Sequence, residues 1–95
     1  MKFENYQSGN GGFIALRNET EEIGKVTYTI FPEDKKLIIS FVLVHPKFEG
    51  QGNGKLLVEE ILKFARENAW KVYPHCSYAR SVMMRMTEIE DVFLV

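Results

Sequence analysis

Ninety-five residues, 45% of them apolar and 26% charged, suffice for one modest hydrophobic core and predict a single domain over residues 1–95. Twelve basic against thirteen acidic side chains leave a net charge of −1, which gives no electrostatic footprint for nucleic acid or an anionic membrane, so neither partner is expected. The first ten residues hold no apolar segment fit for a signal peptide, no window reaches the length of a membrane span, and the lone Cys76 cannot form an internal disulfide; a cytoplasmic location follows as an expectation.

The chain opens with two short apolar segments, residues 3–6 and 12–16, separated by Ser8-Gly9-Asn10-Gly11, a turn-rich stretch of the kind that joins hairpin strands. Residues 22–30 alternate Ile23, Val26, Tyr28 and Ile30 with polar partners and predict a third strand. Pro32-Glu33-Asp34-Lys35 breaks that pattern. Residues 37–44 follow as a nearly continuous apolar strand, whose composition predicts burial on both faces and a central place in the sheet. Residues 54–68 carry Leu57, Val58, Ile61, Leu62, Phe64 and Ala65 at helical spacing, with Lys55, Glu59, Lys63, Arg66 and Glu67 toward solvent. A fifth strand is predicted over residues 70–74. Ser77 is then placed to cap a second helix through about Met86. The strand-helix-strand unit should be parallel and right-handed.

Between the fourth strand and the first helix lies Glu49-Gly50-Gln51-Gly52-Asn53-Gly54-Lys55, with three alternating glycines. Glycines let the backbone take positive φ and approach a ligand closely, and the first N–H groups of a helix have no intrahelical partner; such a turn is built for a phosphate or pyrophosphate. A Walker A loop is not expected, because it needs four residues between its first Gly and the Gly-Lys pair and a Ser or Thr after the Lys, whereas here Leu56 follows Lys55. A dinucleotide is not expected either, since Lys55 stands where the third Gly of its fingerprint belongs.

What the stretch does resemble is the acetyl-CoA signature of the GNAT superfamily of N-acetyltransferases: a strand ending in a V-x-P-type turn, here Val42-Leu43-Val44-His45-Pro46, then a Q/R-x-x-G-x-G/A loop and a helix. The first loop position, usually Gln or Arg, is Glu49 in this chain, so a phosphate would be held by backbone rather than by that side chain. The resemblance spans roughly residues 22 to 86 and implies an α+β minimal GNAT fold, a mixed sheet of about five strands with two helices. It also implies that strands four and five part at their C-terminal ends. The pantetheine arm of acetyl-CoA would then bond to the backbone around Leu43 and Val44, with the pyrophosphate on Glu49, Gly50, Gln51, Gly52, Asn53 and Gly54 and a further phosphate near Lys55 or Arg80.

Acetyl transfer from a thioester requires a neutral amine, donors for the developing oxyanion and often an acid for the departing thiolate. The family resemblance implies Tyr78 as that acid, with packing against the cofactor as its alternative role. It also implies Cys76, at the end of strand five, as a thiol beside the thioester that accepts the acetyl group by exchange, against the ordinary fate of a buried free Cys. His75 and Cys76 face opposite sides of a regular strand, and neither His75 nor His45 has an orienting carboxylate identifiable in sequence. Zinc is not expected, since His45, His75 and Cys76 lack a fourth ligand and paired spacing. Arg85 is a third candidate for that further phosphate, set against ordinary solvated surface charge, the reading that fits it better than Lys55 or Arg80. Two functions are carried forward: an acetyl-CoA-dependent N-acetyltransferase acting on an unidentified amine, and a non-catalytic acetyl-CoA-binding or sensing module. The second arises because longer GNAT enzymes place helices after the first strand to wall the acceptor site, and this chain passes directly into its second strand.

Overall fold

The structure is a computed structural model and describes residues 1–94. Five strands, β1 (Lys2–Ser8), β2 (Gly11–Arg17), β3 (Glu22–Phe31), β4 (Lys36–Val44) and β5 (Lys71–Pro74), form one sheet in the order β1-β2-β3-β4-β5. The first three pairings are antiparallel and β4 pairs with β5 in parallel. Helix α1 (Asn53–Glu67) makes the crossover and α2 (Ser77–Met84) follows β5. This is the expected α+β arrangement, a five-stranded mixed sheet with two helices. Two boundaries differ from the sequence reading. The first hairpin closes on Gly9-Asn10 alone, because Ser8 still pairs with Gly11. Helix α2 ends two residues before Met86, and its N-cap is Cys76, which puts Ser77 inside the helix with no side-chain cap.

Both helices pack on one face of the sheet. Leu57, Val58, Ile61, Leu62 and Ala65 of α1 lie against Val26, Tyr28 and Ile30 of β3 and Leu37 and Ile39 of β4, joined by Ala79, Val82 and Met83 of α2 in one core. Each such aliphatic side chain contributes roughly 1.5–3 kcal/mol by leaving water, far more than any surface ion pair on α1. The opposite face has no covering layer among the described residues, and there the expectation for β4 fails. Phe41 is 50% exposed, and Ile38 and Leu43 are only partly buried. The apolar run is internal to the sheet but buried on one side, since composition reports what a face prefers and not whether another layer exists to meet it. On that open face Tyr6 stacks on Phe13 at 5.0 Å and Lys25 lies over the Phe13 ring.

The tail after α2 folds back beside β5. Val72 N–H donates to Val92 O at 2.6 Å and Leu94 N–H donates to Val72 O at 2.8 Å, with Ile89 and Val92 buried. Arg66 at the end of α1 pins this tail by donating to both carboxylate oxygens of Asp91 at 3.1 Å and to Glu88 O at 2.8 Å. The Arg66 hydrogen bond holds the Asp91 carboxyl below its ordinary value. A carboxyl lowered on folding adds stability above its unfolded value, about pH 4, and loses it as pH falls through the folded one. Protection of the Val72 and Leu94 amides from hydrogen exchange should therefore drop below about pH 4, and Asp91→Asn should remove that acid-dependent step. An unchanged profile in the variant would show that the tail is held by Val92 and Ile89 alone. No helix among the described residues is long and apolar enough to cross a membrane.

Candidate active site

The ladder between β4 and β5 stops at Ile39 opposite Pro74. Beyond it, the N–H groups of both His75 and Cys76 donate to Ile39 O, at 3.0 and 3.2 Å, and the chain turns away into α2. Strand β4 runs on for five more residues with no partner on that side. At the same point β4 carries one residue more than β3: Tyr28 pairs with Ile39 and Thr27 with Phe41, which leaves Ser40 as a bulge. A bulge bends its strand, and here it bends at the residue where β5 departs.

Which backbone groups face the gap follows from alternation. His45 N–H donates to Ile23 O on β3, so the polar groups of Phe41 and Leu43 also face β3, and those of Val42 and Val44 face the unpaired side. Of the expected pair, Val44 faces the gap together with Val42, whereas the backbone of Leu43 faces β3. Beside these two valines lies a cleft of about 440 Å³, walled further by Phe48, Glu49, Gly50, Gly52, Asn53, Gly54 and Tyr78.

The glycine loop supplies the other end of the cleft. Gly50 and Gly52 have φ of +76° and +82°, and a Cβ on either would stand in open space. Gly52 is the N-cap of α1 and offers no side-chain cap, and the first turn carries no acid. Among the described residues, no protein acceptor receives the backbone N–H groups of Asn53, Gly54 or Lys55. Three free donors at the positive end of a helix fit a diphosphate, with Glu49 the one acid on the cleft wall. Asn53 has a second task, which the sequence does not show. Its side chain is buried and donates to Phe48 O at 3.1 Å, tying the loop to the start of the helix, so only its backbone is turned toward the cleft. Gly54 differs from the other two glycines. A Cβ there would lie 2.7 Å from Cζ and 2.9 Å from Cε2 of Tyr78, so it is glycine because the Tyr78 ring rests on the helix start.

The remaining candidates divide. Tyr78 walls the cleft, and its hydroxyl makes no hydrogen bond with another described residue. Cys76 sits at the apex where the strands part, half-buried and packed on the core, while His75 is exposed. Glu49 is exposed at the cleft wall and Gln51 is exposed on the loop outside it. Arg80 is occupied elsewhere: it donates to Tyr73 Oη at 3.0 Å and Pro74 O at 3.1 Å and stacks over the Tyr73 ring. Lys55 lies outside the cleft, in a neighbouring groove. One expectation is overturned for His45, which does have an orienting carboxylate, Glu22, 2.8 Å from its Nε2. That pair lies five residues along β4 from Ser40, about 16 Å of extended strand, and so far from the apex. Sequence reasoning missed Val42, Phe48 and the Glu22 partner; regular alternation counted back from the strand end would have singled out Val42.

The parallel strand pair parts over a glycine loop and leaves free amides at both ends of one cleft. The family model described as GCN5-related N-acetyl-transferase matches residues 12–92, and the chain belongs to that family. Among solved structures it is similar to a GCN5-like putative N-acetyltransferase from Staphylococcus aureus, at 30% identity and TM-score 0.68 over 96% of this chain and 87% of that one. The fold is shared with a GNAT family acetyltransferase from Elizabethkingia anophelis with acetyl-CoA bound, at 14% identity and TM-score 0.71, covering 88% and 72% of the two chains. It is also shared with the ribosomal-protein-S18-alanine N-acetyltransferase from Escherichia coli, at 12% identity and TM-score 0.69, where 82% of this chain covers 52% of the other. The chain thus spans about half the length of that enzyme. Comparison with the curated proteins found no match.

Proposed function

We propose that this protein binds acetyl-CoA in the cleft between β4 and β5 and transfers the acetyl group to an amine. One observation carries the reading: the unpaired edge of Val42 and Val44 runs directly into the free N–H groups at the start of α1, so one cleft offers partners for amides at one end and for a diphosphate at the other. In this reading acetyl-CoA supplies an activated acetyl thioester. Val42 and Val44 hold the pantetheine arm through their backbone. Gly50, Gly52, Asn53, Gly54 and Lys55 hold the pyrophosphate through N–H groups, and Glu49 and Gln51 border it without a side-chain bond.

Two chemical routes remain for the chain's own residues. In the first, the Cys76 thiolate attacks the thioester carbonyl, the carbon–sulfur bond to CoA breaks, and CoA leaves as a thiol after gaining a proton; an amine then takes the acetyl from Cys76. In the second, the amine attacks directly and Tyr78 gives its hydroxyl proton to the departing thiolate. The position of Cys76 at the apex supports the first. The unpartnered Tyr78 hydroxyl supports the second.

A non-catalytic acetyl-CoA-binding module is the second reading, favoured by the two-residue turn between β1 and β2, which leaves the open sheet face with no wall for an acceptor. Intact-mass analysis after incubation with acetyl-CoA, with and without a panel of amines and peptides, separates the three. Acetyl on Cys76 supports the thiol route, an acetylated amine without acetyl-Cys76 supports direct transfer, and binding with no transfer supports the module. No binding would overturn all three.

A further inference from the structure

The turn between β2 and β3 reaches the segment that leads into the glycine loop. Asn18 Oδ1 accepts the N–H groups of Thr20 and Glu21, at 2.9 and 2.8 Å, and Asn18 N–H donates to Glu21 O at 3.0 Å, so the turn closes on itself. At its start β3 carries one residue more than β2: Leu16 pairs with Gly24 and Arg17 with Glu22, which leaves Ile23 as a bulge. Ile23 is buried in the core under the helices, so the bulge carries the Glu22 side chain to the open face, beside the end of β4. There Glu22 Oε2 lies 2.8 Å from His45 Nε2, and the Glu21 carboxylate accepts from Lys47 Nζ at 2.8 and 3.1 Å. His45 and Lys47 flank Pro46 in a single 3₁₀ turn (Pro46–Phe48), and Lys47 Nζ lies 5.5 Å from the centre of the Phe48 ring, a wall of the cleft. Asn53 holds Phe48 O from the helix side. Every other hydrogen bond that residues 45–49 make outside their own turn goes to Glu21, Glu22 or Ile23 among the described residues.

We propose that Glu21 and Glu22 are positioning residues for the cofactor cleft: they clasp Lys47 and His45, and through them fix Phe48 and the entry to the glycine loop. This rests on the reading that the cleft holds acetyl-CoA. The physical reason is entropic. A loop with glycines on either side of Gln51 is costly to order, and fixing its entry in advance removes part of that cost before the ligand arrives. Neither acid lines the cleft, and the His45 pair lies far from the apex, so both act through what they hold and take no part in the chemistry. Charge makes the role separable. Two carboxylates on the approach to an anion site weaken binding by repulsion alone, so removing them tightens binding if they only repel and loosens it if they hold the loop.

The test is calorimetric binding of acetyl-CoA to the parent, Glu21→Ala, Glu22→Ala, Lys47→Ala, Glu22→Gln and the charge-swapped Glu21→Lys/Lys47→Glu, with thermal melting of each without ligand. Exposed pairs of this strength support a loss of about threefold in affinity for each alanine variant and about tenfold for Glu21→Ala/Glu22→Ala together. Glu22→Gln keeps an oxygen for the His45 ring nitrogen, and the swapped pair keeps an ion pair, so both should bind nearly as the parent does. The transfer rate at saturating acetyl-CoA should stay at the parental value. Unchanged or tighter binding in Glu21→Ala and Glu22→Ala overturns the proposal, as does a loss in Lys47→Ala that Glu21→Ala does not share, or one that the swapped pair fails to restore while its melting temperature matches the parent's. Failure of the parent to bind acetyl-CoA overturns the function proposed for the cleft instead, so the two failures are distinguishable.

Discussion

Replacing Gly52 by valine is expected to abolish acetyl-CoA binding while leaving the sheet and helices in place. Gly52 holds φ +82° as the N-cap of α1, where an L side chain costs about 1–2 kcal/mol and a β-branched one is an outlier. Nothing lies within 4 Å of its would-be Cβ, so the variant meets no protein clash and the apoprotein should melt only about 5–10 °C lower. The valine would instead stand in the open space where the diphosphate is proposed to lie. In the parent, ligand at a hundred times its dissociation constant should add about 2.7 kcal/mol and raise Tm by about 10–20 °C. Thermal melting of both proteins with saturating acetyl-CoA reads the result directly. A shift of parental size in Gly52→Val would mean that the phosphates lie away from the loop.

The second large effect is expected at Cys76. On the thiol route, Cys76→Ala should keep acetyl-CoA affinity within about twofold yet lower acetyl transfer by at least about a hundredfold, because no other residue at the apex offers a comparable nucleophile. Cys76→Ser should retain a small fraction of the activity. The alanine fits the site, since Cys76 caps α2 through its backbone and makes no side-chain cap hydrogen bond. Transfer at the parental rate would make the thiol a packing residue, leaving Tyr78 to be tested by its phenylalanine variant. The readouts are transfer rate and dissociation constant, measured on the same preparations.

Much of this arrangement is legible in the residues themselves. Helix α1 declares itself through five core positions at helical spacing, and the glycine loop through backbone freedom that no other residue type supplies. What stays hidden depends on tertiary neighbours. Ser40 looks like one more residue of a strand, and only its pairing with β3 makes it a bulge that bends β4 where β5 departs. Arg80 and Tyr73 meet across a strand-to-helix turn, and His45 meets Glu22 through the register of two strands; neither contact has a period to find. Gly54 is invisible for another reason. Its neighbour in the chain says phosphate turn, whereas its neighbour in space, Tyr78, says close approach.

The unpaired half of β4 also bears on how the protein behaves in solution. Val42 and Val44 present a short strand edge beside apolar walls, and such an edge accepts any extended chain that offers matching amides, including another copy of this one. A pantetheine arm seated there would serve as a surrogate strand, satisfying the edge without extending the sheet. Ligand would then act as a solubility factor, keeping apart molecules whose bare edges could otherwise join.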